Sequence, residues 1–379
     1  MCDFEVAEFQ LRLERAQIAM HAYNIDALFF CTEAEIRYFT GFRTLFWQSP
    51  TRPWYLIVPQ KGQPIAVIPG IGAELMGKTW IKDIRTWSSP HPTDDGVGLL
   101  VEALKGYSCV GTPMGSEASL RMPLMDFEKV RSSCGVEFVD CTPIVKSLRM
   151  IKSDAEIEIL RNICEIGSRA FSSAGSFFFQ GQPLNEVFRA FKIALLQHGA
   201  EDVPYLVGAA GAGGYGDVIS PPTSTPLKEG DVLMLDTGAT LKGYFCDFDR
   251  NFAIGQANDD AKAGYNKLWN ATEVGLAHAR SGVTCSTLFQ AMHNSLGAGT
   301  SDVGRYGHGL GMQLTEWPSI CAHDETVLKP GMVMTLEPSL TMSEGKMMVH
   351  EENILITEDE PILLTKRAEP ELPVLSELL

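Results

Sequence analysis

Val232-Leu233-Met234-Leu235-Asp236-Thr237-Gly238-Ala239-Thr240-Leu241-Lys242-Gly243-Tyr244-Phe245-Cys246-Asp247-Phe248-Asp249-Arg250 is the stretch on which the reading of this chain turns. An apolar run ends in Asp236, Lys242-Gly243 supplies a two-residue turn, and an aromatic return carries Asp247. The segment therefore reads as a β-hairpin whose two ends face each other. His308, Glu337 and Glu351 stand at the ends of later apolar runs. Glu337 precedes Pro338 in one apolar strand and Glu351 lies within Met347–Ile356. Such carboxylates are costly to bury without a cation. Four carboxylates balance two divalent cations in charge, and an oxygen-rich set with one imidazole suits Mn, Fe, Co or Zn better than copper. The chemistry such a set supports is attack of metal-bound hydroxide on a polarised carbonyl. Asp249, two residues after Asp247 on the same strand face, adds a fifth carboxylate. It serves either the metals or a cationic substrate group, or else a salt bridge with Arg250 or another cation.

A chain of 379 residues, 45% of them hydrophobic, can bury two sizeable cores. Its net charge of −16 opposes nucleic-acid binding. No apolar run approaches the roughly 20 residues of a membrane span. Met1–Glu8 is acidic and lacks the pattern of a secretory or transit leader, and nine cysteines without CxxC spacing fit reduced thiols, so a cytoplasmic protein is expected. Gly211–Gly216 spells GxGxxG, but Pro221-Pro222 follow where a nucleotide-binding helix would open. Asp236-Thr237-Gly238 has no second copy to form an aspartic-protease pair.

Along the chain, helical and strand-like runs alternate from Phe9 to about Val145, which predicts an α/β domain over 1–147. The junction Leu148–Glu156 ends in a capping box, Ser153 with Glu156, opening a long helix. A second helix over Pro183–His198, the hairpin, a helix over Asp259–Ser281 and late strands over Leu328–Pro338 and Lys346–Thr357 predict an α+β domain over 148–379.

These segments resemble the pita-bread metallohydrolases, the family of aminopeptidase P, prolidase, methionine aminopeptidase and creatinase. The likeness rests on Tyr38–Phe42 and the Leu148–Glu156 junction, then on Asp236-Thr237-Gly238, Tyr244–Asp247, Gly307–Gly311, Gly331–Pro338 and Glu351–Thr357. It implies a creatinase-like accessory domain before a pita-bread catalytic domain, with Asp236, Asp247, His308, Glu337 and Glu351 holding two metal ions. It implies hydrolysis of a C–N bond in an Xaa-Pro peptide, and a homodimer in which the loop around Trp47 covers a neighbouring subunit's site or packs internally. The chain departs from the peptidases around those ligands. Ile219, Gly304 and Thr315 stand where histidines are expected and Val349 where an arginine is. Poor turnover of Xaa-Pro dipeptides follows, unless other groups replace the lost donors. Thr315, Tyr244 and His350 are the candidate replacements, with Trp317 a candidate pocket wall. The rival readings are a small-amide or amidine hydrolase like ectoine hydrolase or creatinase, a dimethylsulfoniopropionate-type lyase, and a non-catalytic binding protein that would be expected to lose its ligands.

Overall fold

The computed structural model describes residues 3–49, 52–297 and 304–375. The chain divides into two compact units, Met1–Arg149 and Met150–Leu379, two residues beyond the boundary read from the sequence. Among the described residues no helix is long and apolar enough to cross a membrane.

In the first unit the runs Ala27–Phe30, Tyr55–Pro59 and Ile65–Pro69 are almost wholly buried strands. They lie inside a six-stranded mixed sheet that continues to Asp83–Trp87 on one side and to Cys109–Thr112 and Glu137–Asp140 on the other. Helices Val97–Leu104 and Leu124–Cys134 bury Leu100, Leu104 and Val130 against Phe29, Tyr55 and Val67.

The second unit opens on the helix Asp154–Ser172, started by the Ser153–Glu156 capping box. Its apolar stripe of Ile159, Leu160, Ile163, Ile166 and Phe171 is buried. Gly167 faces the Phe248 ring so closely that a Cβ would lie 2.8 Å from it, which draws the helix down onto the hairpin. The hairpin itself is as expected. Strand Asp231–Leu241 turns at Lys242 and Gly243, whose φ of 46° and 72° are those a primed two-residue turn needs, into Tyr244–Phe245. Phe248–Ile254 and Asp202–Ala212 flank Asp231–Leu241 on either side. A second antiparallel sheet runs Glu316–Ser319, His308–Gly309, Val333–Leu336, Glu352–Leu355 and Ile362–Leu363. Helices Asp259–His278 and Cys285–Leu296 bury Leu268, Leu288 and Met292 in a core shared with Met234, Met334 and Ile354 from the two sheets. The result is an α/β first domain followed by the α+β pita-bread arrangement.

Candidate metal centre

Register brings the acidic residues together. Asp236 and Asp249 are direct partners across the antiparallel pair, so their side chains share a face. Asp247 lies just ahead of the strand and is held by a side chain in place of a strand partner. Its amide donates to Asn353 Oδ1 at 3.0 Å, and Asn353 Nδ2 donates back to its carbonyl. In the second sheet the last register pair is Leu336 with Glu352, which leaves Glu337 and Glu351 just beyond it.

His308 is threaded between glycines for a steric reason. Gly307 has φ 146°, and a Cβ there would sit 2.2 Å from the Thr335 carbonyl; one on Gly309 would sit 2.1 Å from that of Trp317. Close strands on both sides fix the ring. The His308 amide donates to Thr335 Oγ1 at 3.0 Å, and Nδ1 lies 2.9 Å from the Gly309 carbonyl. That contact assigns the proton to Nδ1 and leaves Nε2 as the lone-pair nitrogen. Nε2 stands 3.4 Å from Asp247 Oδ2 and 3.9 Å from Glu337 Oε2.

One ligand atom each from Asp247, His308 and Glu351 lies within 4.8 Å of the others. Asp236, Glu337 and Glu351 line one wall of a cavity of about 130 Å³, with Val218, Met234, Met347 and Val349 also lining it. Burial and then the Glu337 charge push the Asp236 carboxyl up to about 7. Burial and neighbouring carboxylates push Asp247 and Glu351 well above the usual range. Asp236 Oδ1, Asp249 Oδ2 and Glu351 Oε1 are buried with no hydrogen-bond partner among the described residues. The adjacent Glu352 shows what a compensated buried carboxylate looks like. Arg250 reaches it at 2.8 Å and Arg367 at 3.1 Å, and although burial alone would raise its pKa, these cations hold it low. Among the described residues Glu351 has no such cationic partner, and carboxylates and the His308 imidazole stand around it. Orphaned anionic oxygens beside an imidazole lone pair fit divalent cations.

The sequence model of metallopeptidase family M24 matches residues 158–358, and that of the creatinase/prolidase N-terminal domain matches residues 12–151. The chain belongs to metallopeptidase family M24. A probable dipeptidase PepE of Mycobacterium bovis is 26% identical over 342 residues, 89% of each chain. An Xaa-Pro dipeptidase of Pyrococcus furiosus is 27% identical over 334 residues, 87% of this chain and 90% of its own. Among solved structures, dipeptidase PepE from Mycobacterium ulcerans superposes with a TM-score of 0.85 at 24% identity, over 99% of this chain and 100% of its own, a likeness of fold.

Within this M24 centre the donors suggested by the sequence are placed unevenly. Tyr244 is buried and its hydroxyl donates to Glu156 Oε1 at 2.8 Å, at the first turn of the long helix. His350 and Glu351 lie between the strands Met347–Val349 and Glu352–Leu355, and His350 is held by other partners. Its Nδ1 meets Thr272 Oγ1 and its Nε2 meets Arg367, each at 3.1 Å, and burial pulls its pKa down to about 3. Both residues are engaged in the scaffold rather than at the carboxylates. Thr315 is half-buried just before the Glu316–Ser319 strand, and Trp317 is buried within it. Trp47 packs inside the first unit, its ring 5.7 Å from that of Trp54 with the Arg121 guanidinium 5.1 Å above it. Asp249 makes no ion pair among the described residues. Its Oδ1 accepts the Glu351 amide at 2.9 Å, and the Arg250 side chain goes instead to Glu352 and to backbone carbonyls. Ile219 is 76% exposed and Val349 lines the cavity, so neither replaces a donor.

Three contributors carry no local sequence signal. Tyr205 donates to Asp236 Oδ2 at 3.3 Å from the neighbouring strand, Asn353 clamps Asp247, and Arg305 Nε lies 3.6 Å from Glu337 Oε1.

Proposed function

We propose that this M24 hydrolase is a dinuclear-metal dipeptidase of the Xaa-Pro type. The observation that carries the reading is the pair of adjacent buried glutamates: Glu352 is neutralised by arginines, and Glu351 is left among carboxylates with an orphaned oxygen. Asp236, Asp247, Glu337, Glu351 and His308 Nε2 would hold two divalent cations, expected to be Mn. Bound there, the cations would supply Lewis acidity, which activates water and polarises a scissile carbonyl. The chain's own groups do the rest. Asn353 fixes the Asp247 backbone, Tyr205 orients Asp236, and Thr335 and the Gly309 carbonyl hold the imidazole. Val218, Met347 and Val349 offer a dry wall to a compact apolar group beside the reacting bond. The matched relatives named dipeptidase and Xaa-Pro dipeptidase support the substrate class.

The test is metal analysis of the purified protein, followed by kinetics of the Mn-loaded enzyme on Xaa-Pro dipeptides, other dipeptides and small amides. Cleavage of Xaa-Pro dipeptides with about two cations per chain is expected; hydrolysis of small amides alone would shift the assignment to a non-peptide substrate. Failure to bind divalent cations would remove the reading altogether. A homodimer is the expected working form, checked by solution mass.

Asp249 gives a further expected result. Its Oδ1 braces the Glu351 amide and its charge faces Asp236, so Asp249→Asn should lower cation affinity by roughly tenfold, the scale of one hydrogen bond to a charged group. Asp249→Thr should do the same. Cation titration followed by calorimetry reads this directly, and unchanged affinity in both variants would make Asp249 a structural residue only.

A further inference from the structure

Among the described residues the cavity lining holds no imidazole or guanidinium, with Val349 where an arginine was expected, yet a dipeptide brings a free carboxylate to a protein of net charge −16. One cation does stand at the site. Among the described residues Arg305 is the only Lys or Arg side chain within 4.0 Å of a candidate ligand carboxylate, with Nε 3.6 Å from Glu337 Oε1. Its position is built in by the backbone. The Tyr306 amide donates to the Ile320 carbonyl at 2.8 Å, and the Glu337 amide donates to the Tyr306 carbonyl at 3.0 Å. The Tyr306 ring stacks on Phe289 with centroids 4.7 Å apart and is buried, while Arg305 reaches Glu337 and stays 31% exposed. Among the described residues no hydrogen bond engages its guanidinium, and its contact with Glu337 is made through Nε, so the two terminal nitrogens can take a carboxylate as a planar fork.

We infer that Arg305 grips the carboxylate of the substrate and sets the enzyme's preference for a free acid end. The inference rests on the dipeptidase reading and names the residue that replaces the missing donors. It revises the sequence expectation of poor Xaa-Pro turnover. Glu337 engaged with cations would loosen its hold on Arg305 and leave the guanidinium to the substrate. A point charge placed three residues before His308 can hold the anionic end near the carboxylate cluster without entering the apolar wall.

The experiment compares glycyl-L-proline with glycyl-L-prolinamide on the Mn-loaded enzyme, as wild type, Arg305→Gln and Arg305→Lys, with metal content measured for each. The wild type should prefer the acid. In Arg305→Gln the acid-to-amide ratio of kcat/KM should fall by roughly tenfold to a hundredfold, through KM, as loss of a charge-assisted pair requires. Arg305→Lys should restore part of the ratio. Calorimetric binding of L-proline and L-prolinamide gives a second readout independent of turnover. If neither peptide is cleaved, the dipeptidase reading fails while the binding preference still decides the role of Arg305. An unchanged acid-to-amide ratio, equal binding of L-proline and L-prolinamide, or loss of metal with equal damage to both peptides would overturn the inference and leave Arg305 as a charge partner of Glu337.

Discussion

Asp247→Asn is expected to abolish cation binding and to lower kcat/KM by at least about 10³-fold, equivalent to about 4 kcal/mol of transition-state stabilisation. The same change should raise the melting temperature of the metal-free protein. Asp247 is almost fully buried, and burial, then the Asp236 and Glu337 charges, push its carboxyl well above the normal range. A carboxylate whose folded pKa is raised binds protons more tightly in the fold than in the unfolded chain. Its stabilising share is full at low pH and is lost as pH rises from about 4, the unfolded value. For Asp236 that loss extends to about 7. Metal-free wild type should therefore lose stability from these groups between pH 5 and pH 8, and Asp247→Asn should lose less. Loaded with cations the order reverses, since a ligand at 1,000 times its Kd stabilises by about 4 kcal/mol and the variant cannot collect it. Melting curves with chelator and with Mn at both pH values read all four cases. A variant that melts below wild type in chelator at both would show that the Asp247 carboxylate is satisfied by the protein alone.

The positions gathered at this centre were readable because each closes an apolar run, where a carboxylate has no local reason to be. The turn at Lys242-Gly243 and the cap at Ser153 were readable from residue type, since φ preference and capping are local properties. What supports the ligands was not. Tyr205 reaches Asp236 only because Asp202–Ala212 pairs with Asp231–Leu241 in one register. Asn353 reaches Asp247 across 106 residues of sequence. Tyr244 is an available donor in a local reading, yet its partner Glu156 lies 88 residues away. His350 likewise looks like a spare imidazole until Thr272 and Arg367 close on its two nitrogens. Polar side chains near a site are assigned by which long-range neighbour reaches them first, and periodicity carries no information on that. The eight-residue helix Glu33–Thr40 is too short for a pattern to stand out, whereas Cys285–Leu296 was legible, with Thr284 as its cap and Cys285, Leu288, Met292 and Leu296 at helical spacing.

Lys152→Met should be the most damaging substitution for stability outside the carboxylate cluster. In the sequence Lys152 falls in the junction Leu148–Glu156, and Glu316 follows Thr315. In the fold they form an ion pair at 3.1 Å, each side chain only 2% exposed. The Lys152 amide donates to the Gly331 carbonyl at 2.9 Å, fixing the stem, and Glu316 Oε1 accepts the Gln313 amide at 3.1 Å. The Glu316 carboxyl fills the space beside Gly311, where a Cβ would meet it at 2.9 Å. Removing the ammonium takes the Lys152 charge away from the buried Glu316 carboxylate, and breaking a buried pair from one side costs about 3–5 kcal/mol. At about 2–4 °C per kcal/mol for a domain of this size, the melting temperature should fall by about 6–20 °C. The damage should reach the metal centre, because Glu316 is the strand partner of Gly309, the residue after His308. Cation affinity should fall with stability in the single variant. Adding Glu316→Gln keeps an acceptor for the Gln313 amide while removing the stranded charge, so the double variant should recover most of the loss; a recovery much smaller than the loss would mean that the ammonium acts through packing rather than through its charge on Glu316.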